Sequence, residues 1–334
     1  MKTFIDPTEQ FVIKIPDDWH FTADYHDGVV RKQPYGFEPY ENRNAAFQIS
    51  FIDNNADRKI NISEQPKGKV DLDFIETEAD GIKSWLTIIE GGKVLLITYV
   101  YDLETNKQQI ELEIAKASES VKSLLVFNDY SKHKILPRIR WEKFMLSHAA
   151  SIDLVNRAYE NGSAIELVIL LANQIDSVLR QSIILKKQLD EKSDFIDINL
   201  IYQKDSDRPI MEKTIYKMAL DQGVLTKKTY DDLVELYGIR NKAVHRYIIS
   251  DLRTDDIFQL SWSYTLIFEN LSKNLISLEH RQFNEQIGIY KGDIHPGEEV
   301  TDEMTKFLIA KIKDKHGNRK LNEGISLKKQ NNGG

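Results

Sequence analysis

From residue 240 to residue 247 the chain reads Arg-Asn-Lys-Ala-Val-His-Arg-Tyr, a stretch whose side chains can do chemistry together. Histidine titrates near neutrality and can take or give a proton. Arginine keeps its charge and offers a planar fork of N–H donors matched to phosphate oxygens. Arg240 and His245 therefore supply an anion clamp and an acid–base group, with Asn241 between them and Tyr247 two residues further on. The stretch sits in a long amphipathic segment and is expected on the interior face of a helical domain. Desolvating a guanidinium or imidazole without partners costs roughly several kcal/mol, so a helix built only for packing would use Leu and Ala here.

Spacing constrains how these groups can act. Asn241 and His245, four apart, share a helix face, so the amide is expected to orient the imidazole. Arg240 and His245, five apart, point about 140° away from each other on a regular helix. Either the helix breaks near Gly238, or two chains each contribute part of the site. Tyr247 lies about 200° round from His245, which removes it as proton carrier on a regular helix. The plain alternatives are that Arg240 pairs with Asp231, Asp232 or Glu235 on the bundle surface, that His245 is a satisfied core histidine, and that Tyr247 only packs. A polar stripe of Asn173, Asp176 and Arg180 lies opposite Val168, Leu171 and Ile175 on an earlier helix. It reads either as a solvated face with an Asp176–Arg180 pair or as a lining of the active cleft.

The elements that must position these residues change character near residue 135. Before it, Phe11, Ile13 and Ile15, and again Phe47, Ile49 and Phe51, alternate with polar neighbours in the period of a half-buried sheet. The runs Trp85–Ile89 and Val94–Val100, separated by Glu90-Gly91-Gly92-Lys93, form a predicted hairpin. Ile110, Ile114, Ala117, Val121 and Leu124 recur at helical spacing and close a first α+β domain over residues 1–130, an antiparallel sheet with a packed helix. A linker is expected over 131–140 and an all-α bundle over 141–283. Ser163-Ala164-Ile165-Glu166 is a capping-box sequence opening a helix that runs to about Asp190. Pro209 and Gly223 bracket a shorter helix. Another starts near Thr226 and carries Arg240 and His245. The last, from about Thr254, shows Ile257, Leu260, Tyr264, Ile267, Leu271, Leu275 and Leu278 in one stripe. A strand–turn–helix extension over 284–313 and a disordered basic tail over 314–334 complete the reading.

Composition narrows the classes. With 41% hydrophobic and 29% charged residues in 334, the chain is that of a soluble globular protein with room for two cores. The sequence shows no run approaching the roughly 20 apolar residues of a membrane span and no secretory leader, so no membrane partner is expected. The absence of cysteine excludes disulfides and thiolate metal sites and fits a cytoplasmic setting. A net charge of -7 argues against non-specific coating of nucleic acid, though not against one local basic site. The other histidines, His20, His26, His133, His148, His280, His295 and His316, show no metal-ligand spacing, and no phosphate-binding glycine loop follows a strand. Neither metal nor cofactor is expected.

The long helix AIELVILLANQIDSVLRQSI, a following helix pair, and a late helix with Arg240-Asn241-Lys242-Ala243-Val244-His245 resemble the HEPN superfamily. Arg240, His245 and Tyr247 also match the longer Arg-x4-His-x-Tyr form of its toxins. The resemblance covers about Trp141 to Phe283. It implies metal-independent RNA cleavage by a toxin or antiviral effector, with Arg240, Asn241 and His245 catalytic, a homodimer through the helical domain, and an antitoxin or trigger protein as partner. It also implies that Tyr247 can accept a nucleotidyl group in systems with a nucleotidyltransferase antitoxin. RNA brings its own nucleophile, the 2′-hydroxyl, so an acid–base group and a cationic clamp suffice. A rival of another class is a non-catalytic HEPN module that binds RNA, a nucleotide or a protein. The N-terminal half resembles PsbP/Mog1-like α/β domains, through FVIKIPDDW and a final helix ending SVKSLLVF, and reads as a sensor or regulatory domain.

Overall fold

The computed structural model describes residues 1–22, 25–26, 29–30, 34–40, 44–52, 72–89, 93–204, 207–292 and 311. It has an antiparallel-sheet part followed by helices, an α+β chain. Two compact units divide it, one containing Met1–Tyr130 and the other beginning at Ser131.

The first unit contains β1 (Lys2–Ile5), β2 (Phe11–Ile15), β3 (Trp19–Thr22), β4 (Tyr25–His26), β5 (Val29–Val30), β6 (Tyr35–Pro39), β7 (Ala46–Ile52), β8 (Ile75–Ala79), β9 (Ile82–Ile88), β10 (Val94–Val100), α1 (Lys107–Lys122) and β11 (Leu125–Val126). Strands order as β1-β2-β11 in one sheet and β3-β6-β7-β10-β9-β8 in another, with a separate β4-β5 ribbon and every pairing antiparallel. The alternation at Phe11, Ile13 and Ile15 and at Phe47 and Ile49 buries those five side chains, which join Trp19, Trp85 and Tyr99 in one core. The β9–β10 hairpin pairs Ile88 with Val94; its glycine turn, residues 90–92, lies outside the described residues. Asn106 caps α1 by accepting from the Gln108 N–H at 2.9 Å, and Ala117 and Val121 turn its apolar stripe into the core.

The second unit is a helical bundle: α2 (Asp129–Lys134), which belongs to it from Ser131 on, α3 (Leu136–Glu160), α4 (Ala164–Glu191), α5 (Ile198–Ile201), α6 (Glu212–Asp221), α7 (Lys227–Arg246) and α8 (Thr254–Glu285). The expected linker over 131–140 is helical instead, because Leu136 and Trp141 are core residues and Pro137 is tolerated in the first turn of α3. Ser163 stands at the head of α4, but its side chain makes no capping hydrogen bond, so the expected capping box is not formed there. At the head of α8 only the return half of such a box forms: the Asp256 carboxylate accepts from the Arg253 backbone N–H at 2.9 Å and from its guanidinium. Helix α8 continues past the expected bundle end at 283, and no strand occurs over 286–292. Gln286 ends the helix in the left-handed conformation, and Gln282 ties the following turn by accepting from the Ile289 N–H at 3.0 Å. The expected helix from Thr301 to Lys313 and the basic tail fall outside the described residues, except Lys311.

Helices α4 and α8 form the centre. They run parallel: Ala164 and Ile257, near their starts, line one cavity, and Gln282 near the end of α8 donates to Leu185 O at 3.1 Å near the end of α4. Among the described residues α4 is the one helix long and apolar enough to cross a membrane, yet 78% of its most apolar window is buried inside the bundle, as befits a core helix.

Candidate functional site

Helices α6 and α7 make an antiparallel hairpin, and that hairpin creates the site. Gly223, with φ +70°, reverses the chain after α6. Thr226 then starts α7, its hydroxyl accepting from the Thr229 N–H at 3.1 Å. The first residue of α6, Glu212, thereby comes opposite Arg240 near the far end of α7. Pro209, expected within the first turn of α6, lies ahead of the helix. Ile210 beside it is held by a hydrogen bond from Arg180 Nη2 to its carbonyl, 3.4 Å.

Arg240 is fixed from several sides. Its Nη1 donates to Glu212 Oε2 at 2.6 Å, its Nη2 donates to Asn241 Oδ1 at 3.1 Å, and its guanidinium lies 4.7 Å from the Tyr237 ring centre. The Tyr216 hydroxyl donates to the other oxygen of Glu212. The Arg240 and Glu212 side chains are only 15% and 17% exposed, which separates this pair from the solvated pairs elsewhere on the bundle. Burial opposes the Arg240 charge, but the Glu212 carboxylate outweighs it and holds the guanidinium above the ordinary arginine pKa. Burial and Glu212 together push the Tyr216 hydroxyl far above the usual tyrosine range, and burial raises Tyr264. Tyr264, on α8, is fully buried, and its hydroxyl has no hydrogen-bond partner among the described residues.

Asp176 and Arg180 border this cluster, while Asn173 does not. Burial raises the Asp176 pKa against the pull of Arg180, and the charges of Glu212 and Arg240 reach it as well. Arg180 donates to Asp176 Oδ2 at 2.6 Å and to the carbonyl of Leu200 at 2.8 Å, so it braces the segment between α4 and α6. Asn173 is exposed, because α4 is buried on every side but that one.

The outer part of the motif differs from expectation. Of residues 241–249 only Ala243 is buried; His245 is exposed and makes no hydrogen bond among the described residues. The interior placement expected for the whole stretch therefore holds for Ala243 and in large part for Arg240. Past Ala243 the helix runs beyond the neighbours that cover it, and the chain leaves through a 3-10 turn, Tyr247–Ile249. Asn241 does not orient His245; its side-chain oxygen is engaged by Arg240. Arg240 pairs with Glu212 rather than with Asp231, Asp232 or Glu235, and Asp231 instead meets Lys227. Helix α7 is continuous through Gly238, so a break there does not bring Arg240 and His245 together. Within one chain the two groups lie on different faces, about 7.5 Å apart along the axis.

Tyr247 is 37% exposed, with its hydroxyl 3.4 Å from Thr254 Oγ1. It lines a cavity of about 550 Å³ together with Ala164, Ile165, Ile169 and Leu170 of α4 and Ile257 of α8. Beside it Ile248 and Ile249 are 95% and 82% exposed. Among the described residues no group of three or more His, Asp or Glu side chains is placed to hold a metal ion.

Sequence reading missed Glu212 and Tyr216, and placed Tyr264 only in the packing stripe of α8. The first two sit four apart on an amphipathic helix, and a hairpin drawn through Gly223 would have brought that helix against α7. No family model, curated protein or solved structure matches the chain.

Proposed function

We propose that the chain is a metal-independent endoribonuclease of the HEPN type, working in the cytoplasm as a toxin or antiviral-defence effector. The observation that carries this reading is the Arg-x4-His pair on one continuous late helix of a bundle, with Tyr247 just past its end, the arginine braced and the histidine open to solvent. His245 takes the proton from the RNA 2′-hydroxyl or returns one to the leaving 5′-oxygen. The 2′-oxygen bonds to phosphorus, the bond from phosphorus to the 5′-oxygen breaks, and Arg240 bears the charge that builds on the phosphate oxygens. The products are a 2′,3′-cyclic phosphate and a 5′-hydroxyl. Because the two groups diverge within one chain, the active form is a homodimer through the helical unit, each chain completing the other's site. The exposed Ile248, Ile249 and Trp262 support such an interface. The first unit is the sensor or regulatory part, and an antitoxin or trigger protein is the expected partner.

A second reading, a non-catalytic HEPN module, is favoured by one feature: the mostly buried Arg240–Glu212 pair is also what a purely structural ion pair looks like. Incubating the protein with total RNA in chelator tests both. Cyclic-phosphate ends that vanish in His245→Ala are the expected result. RNA binding without cleavage selects the module.

A further inference from the structure

We infer that Glu212 is the positioning residue for the Arg240 guanidinium, with Tyr216 locking Glu212 in turn; the inference rests on the reading that Arg240 meets an RNA phosphate. Both oxygens of Glu212 are spent, one on Arg240 and one on the Tyr216 hydroxyl. The carboxylate therefore has no freedom to swing, and Tyr216 itself is fully buried. Arginine has five N–H donors, and Arg240 commits one to Glu212 and one to Asn241, with no other hydrogen bond among the described residues.

Its neighbour Arg180 differs. It directs Nε and both terminal nitrogens to Asp176, Leu200 and Ile210, as a structural arginine does. Arg240 is the guanidinium that is held yet still has donors to give. Glu212 takes one edge, the Tyr237 ring covers a face, and the remaining N–H groups suit the non-bridging oxygens of a phosphodiester. A clamp aimed before substrate arrives spares the ordering of a flexible side chain during the reaction.

The test is side-chain NMR of the full chain labelled with ¹⁵N-arginine, combined with RNA cleavage. Restricted rotation should give Arg240 separate terminal N–H signals, assigned by their loss in Arg240→Lys. Glu212→Leu should merge them and slow cleavage about 10–100-fold, the scale of groups that orient a working side chain. The loss should fall on kcat more than KM, and Glu212→Leu should add nothing in an Arg240→Ala background. Tyr216→Phe should do the same more weakly. Unchanged Arg240 signals in Glu212→Leu, or freed signals with wild-type cleavage, would overturn the inference. If the wild-type chain cuts no RNA while Glu212→Leu still frees Arg240, the nuclease reading fails and the positioning role stands. Should Glu212→Leu not fold, Glu212→Gln, which keeps one weaker acceptor, reads the same signals.

Discussion

Replacing Arg240 with alanine should do more than remove a functional group. It leaves Glu212 as a mostly buried carboxylate with only the Tyr216 hydroxyl for company and Asp176 nearby. Breaking a fully buried ion pair from one side costs about 3–5 kcal/mol, and the slight exposure of this pair, 15% and 17%, moves the expectation to roughly 2–4 kcal/mol. Part of that figure is the lost packing of the guanidinium on Tyr237. For a unit of this size each kcal/mol shifts the midpoint by about 2–4 °C, so about 3 kcal/mol corresponds to roughly 6–12 °C. The assay is thermal unfolding at pH 7 followed by helical circular dichroism. Lys227→Ala is the control: its pair with Asp231 has comparable chemistry, but the side chains are 70% and 56% exposed, and its loss should cost under about 1 kcal/mol. Replacing Arg240 and Glu212 together with leucine should recover most of the loss, because no charge is then left buried. A shift in Arg240→Ala no larger than that of Lys227→Ala would show that solvent screens the Arg240–Glu212 pair, and the account of a braced guanidinium would fall. Cleavage lost in Arg240→Ala accordingly needs Arg240→Lys beside it, which keeps the charge and loses the fork.

Tyr247→Phe should retain most RNase activity, since it forfeits one long contact to Thr254 of about 1 kcal/mol at most, and should escape silencing by any nucleotidyl transfer to that hydroxyl; loss of cleavage on this change would place Tyr247 in the chemistry. Activity should track a dimer, so light scattering that finds a fully active monomer at assay concentration would end the two-chain site. Burial pushes the His148 imidazole down to about 4, below its unfolded value, so its contribution is complete above about pH 6.5 and is lost as pH falls through that window. Denaturant unfolding at pH 7 and pH 5 should show a drop of about 2 kcal/mol from this group that His148→Gln lacks, and equal drops in both proteins would refute it.

Local pattern made much of the architecture legible. A period of two buries Phe11, Ile13 and Ile15, and a helical period buries Ile257, Leu260, Tyr264, Leu271 and Leu275, because solvent exclusion acts on whichever face the backbone geometry makes continuous. The start of α7 at Thr226 and its reversal at Gly223 were equally readable, since a capping hydroxyl and a positive φ are local demands. The angular divergence of Arg240 and His245 followed from spacing alone, and the continuous helix keeps it. What sequence could not supply is which residue of another helix meets Arg240. Glu212 lies 28 positions away, and that partner depends on how α6 and α7 align after their turn and on the space left by Tyr216 and Tyr264. Nor could spacing say that Asn241 turns to the guanidinium, or that His245 emerges into solvent one turn after Arg240 is covered. Burial depends on where neighbouring helices end, which the identity of a helical residue does not encode, so only the tertiary structure separates the braced half of the motif from the open half.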